Sequence, residues 1–370
     1  MTRANRRPAP GRFAAALVAT AALAACGGGG DGQPSGPVSQ PLSVQLEKIG
    51  GYATGQFGVS AAEIPAYDAA SRRLFVVNAQ AGKVDVLDLR VPAQPVKIGE
   101  IDAATSLALP GANINSVAVH DGLVAVAVQA ATKTDPGRVA LYRASDLVLL
   151  GSASVGAQPD MISFTPDGKT VLLANEGEPS DDYQIDPEGS VSVVDVSQPA
   201  APVVRTAGFG AFVGQEATLR AQGVRLYGPN ANAAQDLEPE YIAVSADGAT
   251  AWVTLQENNA LAKIDVASAT VTALLPLGFK DHGAPGNELD ASDNDGRINI
   301  RGLPGVRGLY LPDAMGAYTA DGQTYLVTAN EGDARAWGED NSAYWAGDAS
   351  QGFVEEFRVK HLVNKSGWAG

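Results

Sequence analysis

One cysteine and three histidines are all that 370 residues offer in the way of soft or nitrogen metal ligands. A lone Cys26 excludes an intramolecular disulfide framework, and three histidines give poor support to a Cys/His zinc centre, so a metal held by this chain would be held by oxygen. Charge is also scarce, at 18% of residues, and positive charge is the scarcer sign: 26 Lys and Arg stand against 41 Asp and Glu, a net charge of −15 and a pI near 4.6. That balance is the reverse of a nucleic-acid footprint, so no nucleic acid is expected as partner. No Gly-x-Ser-x-Gly elbow, Walker A loop, His-Glu-x-x-His pair or dinucleotide fingerprint occurs, and no nucleotide cofactor is expected. With 45% apolar residues, the chain has ample material for a large core and is too apolar for a disordered tail.

The longest uncharged apolar run, Phe13 to Ala25, is 13 residues, too short to span a bilayer as a helix. It follows Arg3, Arg6, Arg7 and Arg12, as the h-region of a signal peptide follows its n-region. It ends Leu23-Ala24-Ala25-Cys26-Gly27, which resembles the lipobox of bacterial lipoproteins, where the cysteine is acylated and becomes the new N-terminus. The competing reading is an ordinary secretory signal with a chance cysteine. Residues 1–25 therefore read as a lipoprotein signal peptide with Cys26 as its lipidation site. Residues 26–41, rich in Gly, Pro and Ser, read as a flexible tether. Loss of the signal leaves 22 basic and 41 acidic residues, a net −19, so an anionic bilayer would repel the chain and the acyl chains would have to hold it. The expected location is extracytoplasmic, lipid-anchored to a bacterial membrane, at the outer membrane or facing the periplasm.

Residues 42–370 read as one domain, and beyond residue 50 a short unit recurs in it: an opening Pro, a strand, a turn, a second strand, then an alternating strand ending in Asp. Copies open at Pro65, Asn115, Pro159, Pro239 and Pro312. Pro166-Asp167-Gly168, Ala246-Asp247-Gly248 and Ala320-Asp321-Gly322 mark hairpin turns, and Asp88, Asp195 and Asp265 read as turn and edge chemistry. Several strands per 40 to 50 residues without intervening helices predict an all-β fold, a β-propeller of YVTN/WD40-like blades, about five of them visible. Phe212, Leu219 and Val224 support one short amphipathic helix capping an end of the barrel.

The stretches NEGEPSDDYQIDPEGSVSVVDVS, DLEPEYIAVSADGATAWVTLQENNALAKIDV, PLGFKDHGAPGNELDASDNDGRINI and PDAMGAYTADGQTYLVTANEGDAR resemble the choice-of-anchor I family over roughly residues 45 to 362. The resemblance implies a secreted or surface-anchored bacterial propeller of seven blades in its complete form. Members are often labelled alkaline phosphatase-like and are sometimes joined to a nucleotidase domain. They typically continue for about two blades past the segment that is Glu355–Lys360 here, so a C-terminally incomplete propeller is expected.

Three copies carry an acid after the opening proline, Asp160, Glu240 and Asp313, and an acid after the second strand, Glu176, Glu257 and Glu331. The members of each pair lie 16, 17 and 18 residues apart, and antiparallel folding returns them to one end of a blade. Six carboxylates at one channel mouth repel one another unless they are protonated or bind a cation, and an all-oxygen set suits Ca²⁺ or Mg²⁺. The alternative is a duplicated Asn-Glu-Gly turn with solvated acids. Asp290, Asp293 and Asp295 before Gly296 resemble a calcium loop in composition but miss its spacing. Arg225, His282 and Arg335 are candidate substrate contacts, against a reading as salt-bridge or turn residues. Two functions follow: a surface binding or scaffold module ordered by metal, with an unidentified surface ligand, or, as the family labels imply, a metal-dependent phosphoesterase acting on a phosphorylated substrate. A truncated, inactive remnant is the third possibility.

Overall fold

The computed structural model describes residues 44–291, 295–337, 342–348, 353–354, 363–364 and 367–368. The signal segment, Cys26, the whole tether and Asp293 lie outside them. The chain divides into two units, residues 1–47 and 48–370, and everything below concerns the second. Among the described residues no helix is long and apolar enough to cross a membrane.

Four antiparallel four-stranded sheets follow one another along the chain. The first blade is β1 (Pro65–Asp68), β2 (Arg73–Asn78), β3 (Lys83–Asp88) and β4 (Val96–Ile101), and after the short helix α1 (Ala103–Ser106) the second is β5 (Asn113–His120), β6 (Leu123–Gln129), β7 (Pro136–Arg143) and β8 (Leu149–Ala157). The third is β9 (Pro159–Phe164), β10 (Thr170–Asn175), β11 (Ser190–Asp195) and β12 (Val203–Gly208). Two helices, α2 (Glu216–Gln222) and α3 (Ala233–Asp236), precede the fourth, β13 (Pro239–Val244), β14 (Thr250–Leu255), β15 (Ala260–Asp265) and β16 (Thr270–Pro276). A two-residue hairpin, β17 (Lys280–Asp281) with β18 (Arg307–Gly308), leads to β19 (Pro312–Ala320) and β20 (Gln323–Asn330), the described part of a fifth blade. The structure is the β-propeller that the repeat predicts, and each of the first four blades adds a more exposed fourth strand to the three that the repeat contains.

Side chains alternate across a strand, so a central strand of a blade feeds two cores at once. On β10, Val171 and Leu173 join the core shared with the second blade, while Leu172 and Ala174 join the core shared with the fourth. On β6, Val124, Val126 and Val128 face the first blade, and Ala125 and Ala127 face the third. Met315 of β19 closes the fourth seam with Ala243 and Leu261. The expected amphipathic helix is α2, but it packs into the seam of the third and fourth blades instead of capping the barrel: Leu219, Val224 and Leu226 lie in that core with Phe212 against it. The inner strands β1, β5, β9, β13 and β19 line one concavity of about 540 Å³, with Tyr67, Val119, Phe164, Val244 and Ala317 on its wall.

The recurring aspartates hold turns, as expected. Asp167 accepts from Thr165 Oγ1 and Lys169 N, and Asp247 from Ser245 Oγ and Ala249 N. Asp195 and Asp265 cap Ser197 and Ser268, and Asp88 pairs with Arg90.

Candidate functional site

The acid positions are set by strand register. The second strand of each hairpin ends opposite the opening proline of the first: Asn175 faces Pro159, Leu255 faces Pro239, and Asn330 faces Pro312. In all three pairs the register shifts just inside that point, a bulge that re-aims the residue after the proline. Asp160, Glu240 and Asp313 occupy that place. The residues one past the facing position are Glu176, Gln256 and Glu331. Gln256, not Glu257, therefore takes the ring position in the fourth blade, and Glu257 falls where the other two hairpins have Gly177 and Gly332, both with positive φ (70° and 81°).

Carboxylate oxygens of Asp160, Glu176 and Glu240 lie within 4.8 Å of one another, a group that combines two blades. Three of the six expected ligands thus share one point. Asp313 stands close enough to raise both Asp160 and Glu240, and Glu331 is tied to the ring through Gln256, whose Nε2 donates to its Oε2 at 2.9 Å. Burial is the main cause that pushes Asp160 up to about 7, followed by the negative charges of Asp313, Glu178 and Glu63. Burial first, then Glu240 and Asp160, hold Glu176 well above the usual carboxylate range; Glu240 is raised by burial, then Asp160 and Glu257. Asp313 is raised by burial and Glu331.

Beside Gln256, two further described side chains that carry no acid compensate charge at the mouth. Gln158 Nε2 donates to Glu176 Oε2 at 2.7 Å and to Glu178 Oε2 at 2.8 Å, and Lys133 Nζ approaches the same Glu178 oxygen at 3.1 Å. At the entry to the fourth blade's inner strand, Arg335 is buried between two acids: Nη1 donates to Asp236 Oδ1 at 2.7 Å, Nη2 to the Asp236 carbonyl at 3.0 Å, and Nε to Glu238 Oε2 at 3.0 Å. Asp236 also accepts from the Tyr227 and Gly228 amides. Burial raises Glu238 well above the usual range against the pull of Arg335. Asp186, whose Oδ1 is buried without a hydrogen-bond partner, is pushed up to about 6, mainly by burial.

A choice-of-anchor I domain model matches residues 63–366. The chain belongs to the choice-of-anchor I family. Similar solved structures include the β-propeller domain of Cps50 (Swd1) from Myceliophteria thermophila, 14% identical over 58% of this chain and 55% of that one, with a TM-score of 0.37. A functionally unknown protein from Desulfotomaculum acetoxidans is 10% identical over 73% and 63% of the two chains, with a TM-score of 0.44, and a protein from Lactobacillus plantarum is 14% identical over 65% and 70%, with a TM-score of 0.39. This chain thus spans 55% and 63% of the first two, and at such identities the likeness concerns the fold alone. No curated protein matches the sequence.

In this choice-of-anchor I chain the expected substrate contacts are spent on the protein itself. Arg335 is in the buried clasp just described. Arg225 donates through Nη1 to the Glu257 carbonyl at 2.6 Å and stacks on the Tyr227 ring at 4.7 Å. His282 Nδ1 meets the Asn287 carbonyl at 2.8 Å inside its own loop. Asp290 and Asp295 likewise brace their loop: Asp290 accepts from Asn299 N, and Asp295 accepts from Arg297 N and Asn299 Nδ2. The residues that were missed, Gln158 and Glu238, had a signal: both directly precede an opening proline.

Arg335→Ala leaves two buried carboxylates without their cation and is expected to cost about 3–5 kcal/mol in urea unfolding, with Glu238→Gln in the same chain returning part of the loss. The mouth acids have folded pKa values raised above their unfolded ones, so their contribution to stability is full below the ordinary carboxylate range and is lost as pH rises through about 7, the value for Asp160. In chelator the melting temperature should therefore fall between pH 5 and 8 (roughly the window those shifts define), and calorimetry showing a flat or rising profile would contradict the cluster.

Proposed function

We propose that this chain is an extracytoplasmic, lipid-anchored β-propeller that serves as a surface binding or scaffold module, with a divalent cation, Ca²⁺ ahead of Mg²⁺, held at its acidic channel mouth. The observation that carries the metal reading is the convergence of Asp160 and Glu176 from the third blade with Glu240 from the fourth within 4.8 Å. Three hard oxygen donors on two adjacent sheets suit such an ion, and burial first, then mutual repulsion, raises their pKa values, a cost that a cation would offset. An ion there ties adjacent blades together. Membership of a family of choice-of-anchor domains supports placing the module at the cell surface. The lipobox-like sequence at Cys26 supports an acyl anchor.

The phosphoesterase reading needs a cation free to hold phosphate beside the metal. Arg335 and Arg225 are engaged within the fold, which favours the binding module.

Calcium at one hundred times its dissociation constant stabilises a folded protein by about 2.7 kcal/mol. Differential scanning calorimetry of the full chain should show the melting temperature raised by Ca²⁺ and lowered by chelator. Glu176→Gln with Glu240→Gln should melt higher than the parent in chelator and ignore Ca²⁺. A parent chain indifferent to Ca²⁺, or a double variant that still responds, overturns the metal reading. Hydrolysis of p-nitrophenyl phosphate that depends on the added metal would return the phosphoesterase to the front. For the anchor, radiolabelled palmitate fed to a bacterial host should enter the parent chain and not Cys26→Ala; label retained in the variant would place the lipid elsewhere.

A further inference from the structure

Gln158 is unusual in three independent ways. It stands in left-handed backbone, φ 48°, directly before Pro159, a conformation that an L side chain adopts reluctantly and that tends to persist at functional sites. It is 9% exposed, although it carries a polar amide. Its Nε2 lies between two carboxylates, Glu176 and Glu178, while its Oε1 is buried with no hydrogen-bond partner. A buried amide oxygen is normally met by a donor, and native proteins leave few such atoms unpaired.

The surroundings say what kind of partner suits it. The amide is bonded to Glu176, which shares one small volume with Asp160 and Glu240, so the nearest chemistry is a crowd of oxygen acceptors. In the cation-free protein the NH₂ end of the amide faces the carboxylates, because it brings the partial positive charge. A divalent ion among the three acids supplies far more positive charge than an NH₂ group. The better end of the amide toward the ion is then its oxygen, and a half-turn of the terminal torsion, which is broad and soft in glutamine, exchanges the two ends. Glu178 is not abandoned by that turn, because Lys133 Nζ stands 3.1 Å from the same Oε2 that Gln158 releases.

We propose that Gln158 Oε1 is the fourth protein ligand of the cation, beside Asp160, Glu176 and Glu240. The inference rests on the metal reading above and adds to it a residue and a preference among ions. Three carboxylates and a neutral amide carbonyl form the mixed oxygen set that Ca²⁺ accepts in irregular six- to eight-fold coordination, whereas Mg²⁺ demands a near-octahedral shell and keeps much of its water. Among the four ligands there is no nitrogen or sulfur, so the set does not favour zinc. The left-handed turn at Gln158 sets the amide beside the acids before any ion arrives.

The test is calcium titration calorimetry, with CaCl₂ as the only ligand, on the full chain and on Gln158→Glu, Gln158→Met and Gln158→Lys, each checked for its β-sheet circular dichroism. If Oε1 ligates, Gln158→Glu keeps an oxygen in place and binds Ca²⁺ within about threefold of the parent or tighter. Gln158→Met and Gln158→Lys each weaken binding by about tenfold or more, the usual scale for a lost metal-site contact. Mg²⁺ should compete poorly with Ca²⁺ in the parent. If Gln158 only donates to the carboxylates, the neutral Gln158→Met binds Ca²⁺ within about threefold of the parent, which overturns the fourth ligand and leaves the three-acid site standing; the charged variants shift affinity in either case and do not decide. Should Gln158→Met fail to fold, Gln158→Ala, equally neutral and without the oxygen, takes its place. A parent chain that binds no Ca²⁺ overturns the site and the fourth ligand together.

Discussion

Burial of apolar side chains between neighbouring blades is the interaction on which the rest of this molecule depends. No single four-stranded sheet here can cover both of its faces, and the two-residue alternation of β6, β10 and β14 sends one set of side chains forward and the other back. Val171 and Leu173 cannot stay with the second blade unless Leu172 and Ala174 are committed to the fourth. The seams thereby fix the rotation of each sheet relative to the next, and with it the place where the inner strands begin. Everything at the channel mouth inherits that placement.

The acid cluster works against the seams that position it. Asp160, Glu176 and Glu240 are raised chiefly by burial and secondarily by one another, so the site is a local electrostatic cost maintained by a well-packed frame. The molecule answers similar costs in two ways. At the entry to the fourth blade's inner strand, a cationic side chain is built in: Arg335 neutralises Asp236 and Glu238 and satisfies the Asp236 carbonyl as well. Around Asp160, Glu176 and Glu240 the described answer is the amide of Gln158, with Lys133 on the neighbouring Glu178. The contrast between acids closed by a guanidinium and acids met by an amide is what separates a structural ion pair from a candidate binding site.

Much of the fold is legible in the sequence. The opening prolines, the Asp-Gly turns and the period of the repeat located the inner strands, and the antiparallel return of each hairpin brought Asp160 to Glu176. In the fourth blade, register gives the position facing the opening proline's neighbour to Gln256, one residue before the expected Glu257, whose charge nevertheless raises Glu240. One residue of offset changes which way a side chain points, and spacing alone does not reveal a bulge. Gln158 escaped notice because an amide carries no charge to attract attention. The use of Arg335 was illegible for a different reason: its partners lie 97 and 99 residues earlier, and nothing local in EGDAR indicates where the guanidinium goes.

That long reach also bears on the order of assembly. Each seam among the described residues joins blades that are consecutive in sequence, so a chain emerging from its N-terminus can lay each finished sheet against the one before it without waiting for distant segments. Arg335 reaches farther along the chain, closing a loop of nearly one hundred residues onto Asp236 and Glu238. The same ion pair that neutralises a buried charge thus also works as a clasp, tying the segment after the hairpin of β19 and β20 back to the entry of the fourth blade.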